Sequence, residues 1–153
     1  MELEEMVKIV TDSASDLPLE IAKELDITVV PLSVHMENET YFDRVDITPD
    51  SFYTRLAETK IMPTTSQVTP TAFHEVFNDF VRRGYDVLSI NFSSELSGTF
   101  QSAKIAKGMI QEGRVEVLDT KSASVGQALT VLEAARLAKE GKEIGTILDY
   151  CKS

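Results

Sequence analysis

The chain has 153 residues, of which 42% are hydrophobic and 26% are charged, a composition typical of a globular domain rather than of a disordered, collagen-like or coiled-coil protein. Its 15 basic and 25 acidic residues give a net charge of −10, which disfavours binding to nucleic acid or to an anionic membrane surface. The chain has one cysteine, no cluster of Cys and His residues and no apolar run of about 18 residues. We therefore predict a cytoplasmic protein without disulfides, metal, cofactor or membrane insertion.

The chain begins with a strand, a polar turn and a helix. Val7–Val10 is a short run rich in β-branched residues and predicts a strand. After a polar turn, Pro18 favours the first turn of a helix that runs to about Leu25. Ser15 or Asp16 is expected to be the N-cap of this helix, because a side-chain oxygen there accepts a hydrogen bond from a free backbone N–H group.

A second strand and a small hairpin come next. Residues Ile27–Val34 predict a strand, in which Pro31 favours a sheet edge or a bulge because proline has no N–H group to donate. Residues Met36–Phe42 predict a small β-hairpin that turns at residues 37–39.

Two helix starts are marked by a threonine before a proline. Thr48-Pro49 and Thr69-Pro70 each place an N-cap hydroxyl before a proline at the first helical position. The second of these helices is predicted to end at Gly84. Its apolar residues recur with the spacing of one buried helix face, and they are Phe73, Val76, Phe77, Phe80 and Val81.

The second half of the chain continues the alternation of strands and helices. In chain order it predicts a strand over 86–92, a loop and a helix to about Glu112 that Gly113 ends, a strand over 115–118, and a helix over 125–139 that Gly141 closes. This order predicts an α/β fold, namely a parallel-sheet, Rossmann-like three-layer domain with a small β-hairpin insertion. In such folds, binding sites lie at the carboxyl ends of the strands.

The last segment keeps helical spacing to the end of the chain, through Ile144, Ile147, Leu148 and Cys151. No glycine or proline follows that would cap a helix. We therefore expect a fragment or the first domain of a longer protein, the alternative being a frayed natural terminus.

Two turns are rich in hydroxyl groups. One is Pro63–Gln67, and the other is Ser93–Thr99, in which five of seven residues are Ser, Thr or Gly. Such turns direct hydroxyl and free backbone N–H groups to one place, and the helix that follows adds a partial positive charge. They favour an anionic ligand such as a carboxylate or a phosphate. The alternative is that these hydroxyls only cap helices and form turns.

Catalytic and metal sites are less well supported by the sequence. A serine nucleophile needs a base, and the candidates are His35, at an edge of the hairpin, and His74, on the polar side of its helix. Asp12 and Asp16 flank the exit of the first strand and have the chemistry to hold a cation, but such residues more often form turns and caps. We therefore predict neither a catalytic nor a metal site.

Four motifs, in this order and spacing, carry a resemblance to a known family: Val10–Pro18, Pro63–Gln67, Ser93–Thr99 with Ser102-Ala103, and Val117–Ser122. With them the chain resembles the DegV family of bacterial fatty-acid-binding proteins. The likeness extends over nearly all of the chain but over only the amino-terminal half of the family pattern. It implies that residues 1–153 are an amino-terminal DegV-type α/β domain and that the second, lipid-covering domain is absent.

The resemblance implies a carrier rather than an enzyme. Proteins of this family hold a long-chain fatty acid in a tunnel between two domains and present its carboxylate to a separate fatty-acid kinase, which forms the acyl phosphate. The family's head-group contacts carry over to Thr65 and to the serine pair Ser93 and Ser94, with Thr64 and Ser97 as neighbours. The second domain of the family also supplies a histidine near the carboxylate.

Two rival functions and several properties stay open at this point. Ser94 or Ser97 is a candidate nucleophile for a small hydrolase or acyltransferase, and the loop over residues 93–99 is a candidate site for a phosphorylated metabolite in a regulatory domain. The sequence does not determine the acyl-chain length, its unsaturation, the oligomeric state or the surface that docks the kinase. A lone half would expose apolar surface that favours self-association.

Overall fold

A computed structural model describes residues 6–36, 39–42, 64–94, 98–122 and 124–152, and of residues 33–42 and 64–66 it describes the backbone. The strands in these ranges are β1 (Val7–Asp12), β2 (Ile27–Val30), β3 (Ser33–Met36), β4 (Glu39–Phe42), β5 (Thr64–Ser66), β6 (Asp86–Asn91) and β7 (Val115–Asp119). The α-helices are α1 (Leu19–Glu24), α2 (Pro70–Arg82), α3 (Thr99–Gly108), α4 (Val125–Lys139) and α5 (Ile144–Lys152).

Four strands form one parallel sheet in the order β2-β1-β6-β7. The chain runs outward from β1 to β2 at one edge, and later from β6 to β7 at the other. β1 and β6 are therefore neighbours in the middle of the sheet, and the direction of winding reverses between them. The predicted parallel α/β architecture is confirmed, and β2, the strand that precedes Pro31, lies at an edge of the sheet.

Alternation along the strands buries apolar side chains on both faces of this sheet. Ile9, Leu88 and Ile90 face α1, α4 and α5, whereas Val10 and Val87 face α2 and α3. On the second face Phe73 and Phe77 are fully buried and stack with their ring centroids 5.6 Å apart. The sheet is thus the middle of three layers, as predicted, because helices cover both of its faces.

The predicted hairpin is confirmed as β3 and β4, and β5 extends it to a three-stranded antiparallel sheet. β3 lies in the middle and pairs with β4 and with β5. The prediction of one strand over Ile27–Val34 was wrong, because the chain leaves the parallel sheet at Pro31 and begins the new strand at Ser33. Proline has no N–H group for the sheet, and the next N–H group, of Leu32, donates to the Ser13 hydroxyl oxygen at 3.0 Å.

The start of α1 differs from the prediction. The residue before the helix is Pro18, and neither Ser15 nor Asp16 caps it. Residues Ser13–Ser15 instead form a short 3₁₀ helix, whose N-cap is Asp12 and which ends at Asp16 in the left-handed region, with φ of 55°. The polar turn is therefore a helical turn that holds Asp12 at the end of β1.

The sequence predicts the start of α2 correctly but not the end of α3. The Thr69 hydroxyl oxygen accepts a hydrogen bond from Ala72 N–H at 3.2 Å, so the predicted N-cap of α2 is confirmed. α3 ends at Gly108 rather than near Glu112, because the N–H groups of Met109 and the next residue bond three residues back and tighten the last turn. The predicted start at Thr48-Pro49 lies outside the described residues.

Gly113 occupies a position where a side chain would be costly. Its φ is +98°, and an added Cβ atom would lie 2.8 Å from Cβ of Val81. Gly84 has a similar φ of +91° but no atom within 4 Å of an added Cβ. We expect Gly113→Ala to lower the free energy of unfolding by about 1–3 kcal/mol more than Gly84→Ala, since only the first adds a clash to the same backbone strain. Urea unfolding of both variants measures the difference, and equal losses would contradict it.

Candidate functional site

The carboxyl ends of β1 and β6 lie side by side where the winding of the sheet reverses. The polar turn after β1 and the serine loop after β6 start from these two ends. Open α/β sheets bind ligands at such a reversal, because the connections from the two strands leave in opposite directions.

Asp12 is the centre of a buried hydrogen-bond network at this point. Its side chain has no exposed surface, and four N–H groups donate to its two oxygens. Oδ2 accepts from Phe92 N–H at 2.8 Å and from the Asn91 amide at 3.3 Å. Oδ1 accepts from Ala14 N–H and from the Gln127 amide, both at 3.0 Å. One carboxylate therefore joins the ends of β1 and β6 to the first turn of α4.

Burial and hydrogen bonding act in opposite directions on this carboxyl group. Burial raises the pKa of Asp12 above its ordinary value, while the hydrogen bonds from Phe92 and Gln127 lower it in part. The Gln127 amide also donates to the Thr11 hydroxyl oxygen at 3.0 Å, but its own Oε1 finds no donor among the described residues. The network is thus almost fully satisfied and fixes the relative positions of these two strand ends.

Asp119, the last residue of β7, holds the serine loop from its other side. Ser94 N–H donates to Oδ1 of Asp119 at 3.1 Å, and the Ser94 hydroxyl donates to Oδ2. Lys121 N–H also donates to Oδ1, at 2.9 Å. Partial burial alone would raise the pKa of Asp119, but these hydrogen bonds outweigh it and lower that pKa below its ordinary value.

The two hydroxyl-rich turns meet at this end of the sheet. Val68 N–H donates to the Thr99 hydroxyl oxygen at 3.3 Å, and both residues are buried. The Gln67 side chain packs against Gly98 so closely that an added Cβ there would lie 2.7 Å from Cδ of Gln67. Only glycine leaves room for this approach. The end of the first turn therefore lies against the end of the second.

The structure describes the side chains of some predicted head-group residues but not of others. Ser94 is exposed, and Ser93 is buried and donates its N–H group to the carbonyl oxygen of Ser122 at 3.1 Å. Thr64 and Thr65 lie in β5, a strand rather than the predicted turn. Their side chains and all of Ser97 lie outside the described residues. The shared contact of Thr65 and Ser94 with one ligand stays a prediction.

A groove of about 480 Å³ opens beside Asp119. Phe100, Val117, Leu118 and Cys151 supply its apolar lining, and Lys121 and Lys152 lie among its polar residues. Burial raises the pKa of the Cys151 thiol, which therefore remains protonated and apolar in character. A groove that combines apolar side chains with hydroxyl and basic groups suits a ligand with an alkyl chain and an acid group.

The residues of a serine hydrolase are not assembled around Ser94 in the described part of the chain. The partner of its hydroxyl is Asp119, and a carboxylate with a lowered pKa is a weak base. His74 lines a separate groove on α2, together with Arg82 and Glu112. His35 lies in the central strand of the small sheet rather than at an edge.

The cation site considered for Asp12 and Asp16 is not formed by these two residues. The oxygens of Asp12 accept from N–H groups, and Asp16 is exposed beyond the 3₁₀ turn. The described ranges contain no group of three or more His, Cys, Asp or Glu residues arranged to hold a metal ion. Nor do they contain a helix long and apolar enough to cross a membrane.

Sequence reasoning missed three polar residues of this site: Asn91, Asp119 and Gln127. Asn91 and Asp119 are both last residues of parallel strands, so their place at the binding edge was a usable signal. Gln127 carries no such signal, because it reaches Asp12 across 115 residues of sequence.

Comparisons with known proteins agree on one family. A family model described as an uncharacterised protein of the DegV family matches residues 6–153. A DegV domain-containing protein of Clostridium acetobutylicum is 45% identical over 143 residues, which make up 94% of this chain and 51% of that protein. The chain spans about half the length of the curated relatives it matches.

Solved structures share the fold. A DegV family protein from Thermus thermophilus, described as binding fatty acid, superposes with a TM-score of 0.87 at 38% identity, over 96% of this chain and 52% of that one. DegV of Bacillus subtilis, described as a fatty acid binding protein, gives a TM-score of 0.91 at 30% identity, over 97% of this chain and 53% of that one. A stearic-acid-binding protein from Eubacterium ventriosum gives 0.89 at 33% identity, with 96% and 52% coverage.

Proposed function

The chain belongs to the DegV family, and from this premise we propose that it binds a long-chain fatty acid and holds the acid group at the turns that meet beside β6. The observation that carries the proposal is the hydrogen bond from Val68, which directly follows the first hydroxyl-rich segment, to Thr99, the last residue of the second. The groove beside Asp119 supports it, because an alkyl chain needs apolar surface next to the acid site.

The acyl chain and the acid group have different roles in this proposal. A fully buried chain of about 15 methylenes gains about 12 kcal/mol before costs, at about 0.8 kcal/mol per CH₂. Each hydrogen bond to a charged head group contributes only about 1.5–3 kcal/mol. The chain therefore sets the affinity, and the hydroxyls of Thr65 and Ser94 set the orientation of the acid group and reject ligands that lack it.

We also propose a wider role for the whole protein. The matched relatives are about twice as long, and a second domain of that kind would close the tunnel over the acyl chain and supply the histidine near the carboxylate. A partner kinase would then phosphorylate the oriented carboxylate. The excess of ten negative charges favours a partner with a basic docking surface.

The test of the head-group role is the double variant Thr65→Ala with Ser94→Ala in the intact protein. We expect its affinity for a fatty acid to fall by about 1.5–3 kcal/mol per lost hydrogen bond, while its affinity for the alcohol of the same chain length changes little. Calorimetric titration with both ligands measures this. Thr146→Ala, an exposed threonine on α5, is the control and should change neither affinity.

The outcome that contradicts the proposal is specific. If the unmodified protein binds the alcohol as tightly as the acid, then the turns do not recognise the acid group. Mass spectrometry of lipid extracted from the purified protein provides an independent check, and a phosphate ester in place of a fatty acid would favour the regulatory alternative.

A further inference from the structure

Asp119 uses both hydrogen-bond donors of Ser94. The backbone N–H group donates to Oδ1 and the hydroxyl donates to Oδ2 of the same carboxylate. A serine hydroxyl has one proton to donate. While that proton is given to Asp119, Ser94 has no hydrogen left for the carboxylate of a ligand.

The same carboxylate has a second anchor that does not depend on Ser94. Lys121 N–H donates to Oδ1 of Asp119, and Lys121 itself adopts the left-handed region with φ of 55°. Asp119 therefore keeps a hydrogen bond when Ser94 turns away from it. This arrangement allows an exchange of partners at Ser94 without unfolding the end of β7.

Two carboxylates that compete for one donor also repel each other. The low pKa of Asp119 keeps it ionised at neutral pH, and a fatty-acid carboxylate near Ser94 would meet this negative charge. The repulsion is reduced by the exposure of Ser94, which admits water and salt ions.

We propose that Asp119 competes with the ligand's carboxylate for Ser94 and so limits the affinity of the head-group site for acids. Asp119 is then a specificity-determining residue that accepts the hydrogen bonds that a ligand's carboxylate would take. This inference rests on the proposed function, because it requires a fatty acid at Ser94.

The variant that tests this competition is Asp119→Asn. The amide oxygen still accepts from the N–H groups of Ser94 and Lys121, while the amide nitrogen donates to the Ser94 hydroxyl oxygen and frees its proton for a ligand. The loop thus keeps its hydrogen bonds and loses the competing charge. We expect the affinity for a fatty acid to rise about tenfold and the affinity for the corresponding alcohol to stay unchanged.

Glu116→Gln is the matched control. Glu116 lies on the same strand and loses the same charge, but its partners are Lys107 and Arg114 rather than Ser94. Its three-residue separation from Asp119 places it about 10 Å away along the strand. We expect its effect on acid affinity to be less than about twofold, because salt screens a charge at that distance.

A double-mutant cycle separates competition from simple charge removal. If Asp119 acts through Ser94, the gain from Asp119→Asn should become smaller when Ser94 is already alanine, because only the charge repulsion is then left to relieve. Calorimetric titration of all four proteins of the cycle with the acid and the alcohol gives the coupling.

Three results would overturn the inference. Weaker acid binding in Asp119→Asn would identify Asp119 as a support for the site rather than a competitor. Equal gains in Asp119→Asn and Glu116→Gln would reduce the effect to net charge. In both cases the proposed function stays intact if the unmodified protein binds the acid more tightly than the alcohol. If the unmodified protein shows no such preference, both proposals are overturned.

Discussion

Asp12→Ala is expected to lower the free energy of unfolding by about 3–5 kcal/mol. The variant removes the acceptor of four N–H groups, from Phe92, Asn91, Ala14 and Gln127, at a position with no exposed surface. Each buried donor left without a partner costs about 1–3 kcal/mol, and relief of the buried charge offsets part of the sum. Urea unfolding measures the loss, which is a large fraction of the 5–15 kcal/mol typical of a domain.

The conservative variant Asp12→Asn separates hydrogen bonding from shape. The amide keeps the volume of the carboxyl group, but its NH₂ group faces two donors in place of an acceptor. We expect it to cost at least about 2 kcal/mol. Asp149→Asn is the matched control, since Asp149 is exposed on α5, and should stay within about 0.5 kcal/mol of the unmodified protein. A loss below about 1 kcal/mol in Asp12→Ala would show that water replaces the network.

Shortening the ligand is expected to weaken binding more than the loss of any single head-group hydrogen bond. Removal of six methylenes, from an eighteen-carbon to a twelve-carbon saturated acid, should cost up to about 5 kcal/mol, or about 3,000-fold in affinity, because each buried CH₂ contributes about 0.8 kcal/mol. Titration of the intact protein with both acids measures the ratio.

The alcohols of the same two lengths are the control for this experiment. Their ratio of affinities should equal that of the acids, since the acyl chain and the head group occupy different parts of the site. If the two acids bind within tenfold of each other, the acyl chain is not buried and the proposed tunnel is wrong.

The fold could be predicted from the sequence because local signals and the burial pattern agree. Strands such as Val7–Asp12 are buried on both faces, as a sheet covered by two helical layers requires, and Thr69-Pro70 starts a helix by a local hydrogen bond. The prediction of a single strand over Ile27–Val34 was wrong, because a proline ends the strand and the sequence does not show in which direction the next strand runs.

The candidate site could be predicted from the sequence only in part. The residue types identify the two hydroxyl-rich segments. The position of the Ser94 loop after a strand identifies it as a loop at the binding edge. Their meeting through Val68 and Thr99 depends on contacts across 31 residues, which no local pattern records. The engagement of Ser94 by Asp119 depends on the two strands being neighbours in the sheet.

The sequence by itself determined most of the strands and helices, which segments carry hydroxyl groups, and to which family the motifs point. These properties depend on interactions between residues close in the chain and on the periodicity of burial. Only the tertiary structure decided that Asp12 joins three elements and that Asp119 holds the donors of Ser94. Those contacts arise from the order of the strands, and strand order is a property of how distant segments pack rather than of any one segment.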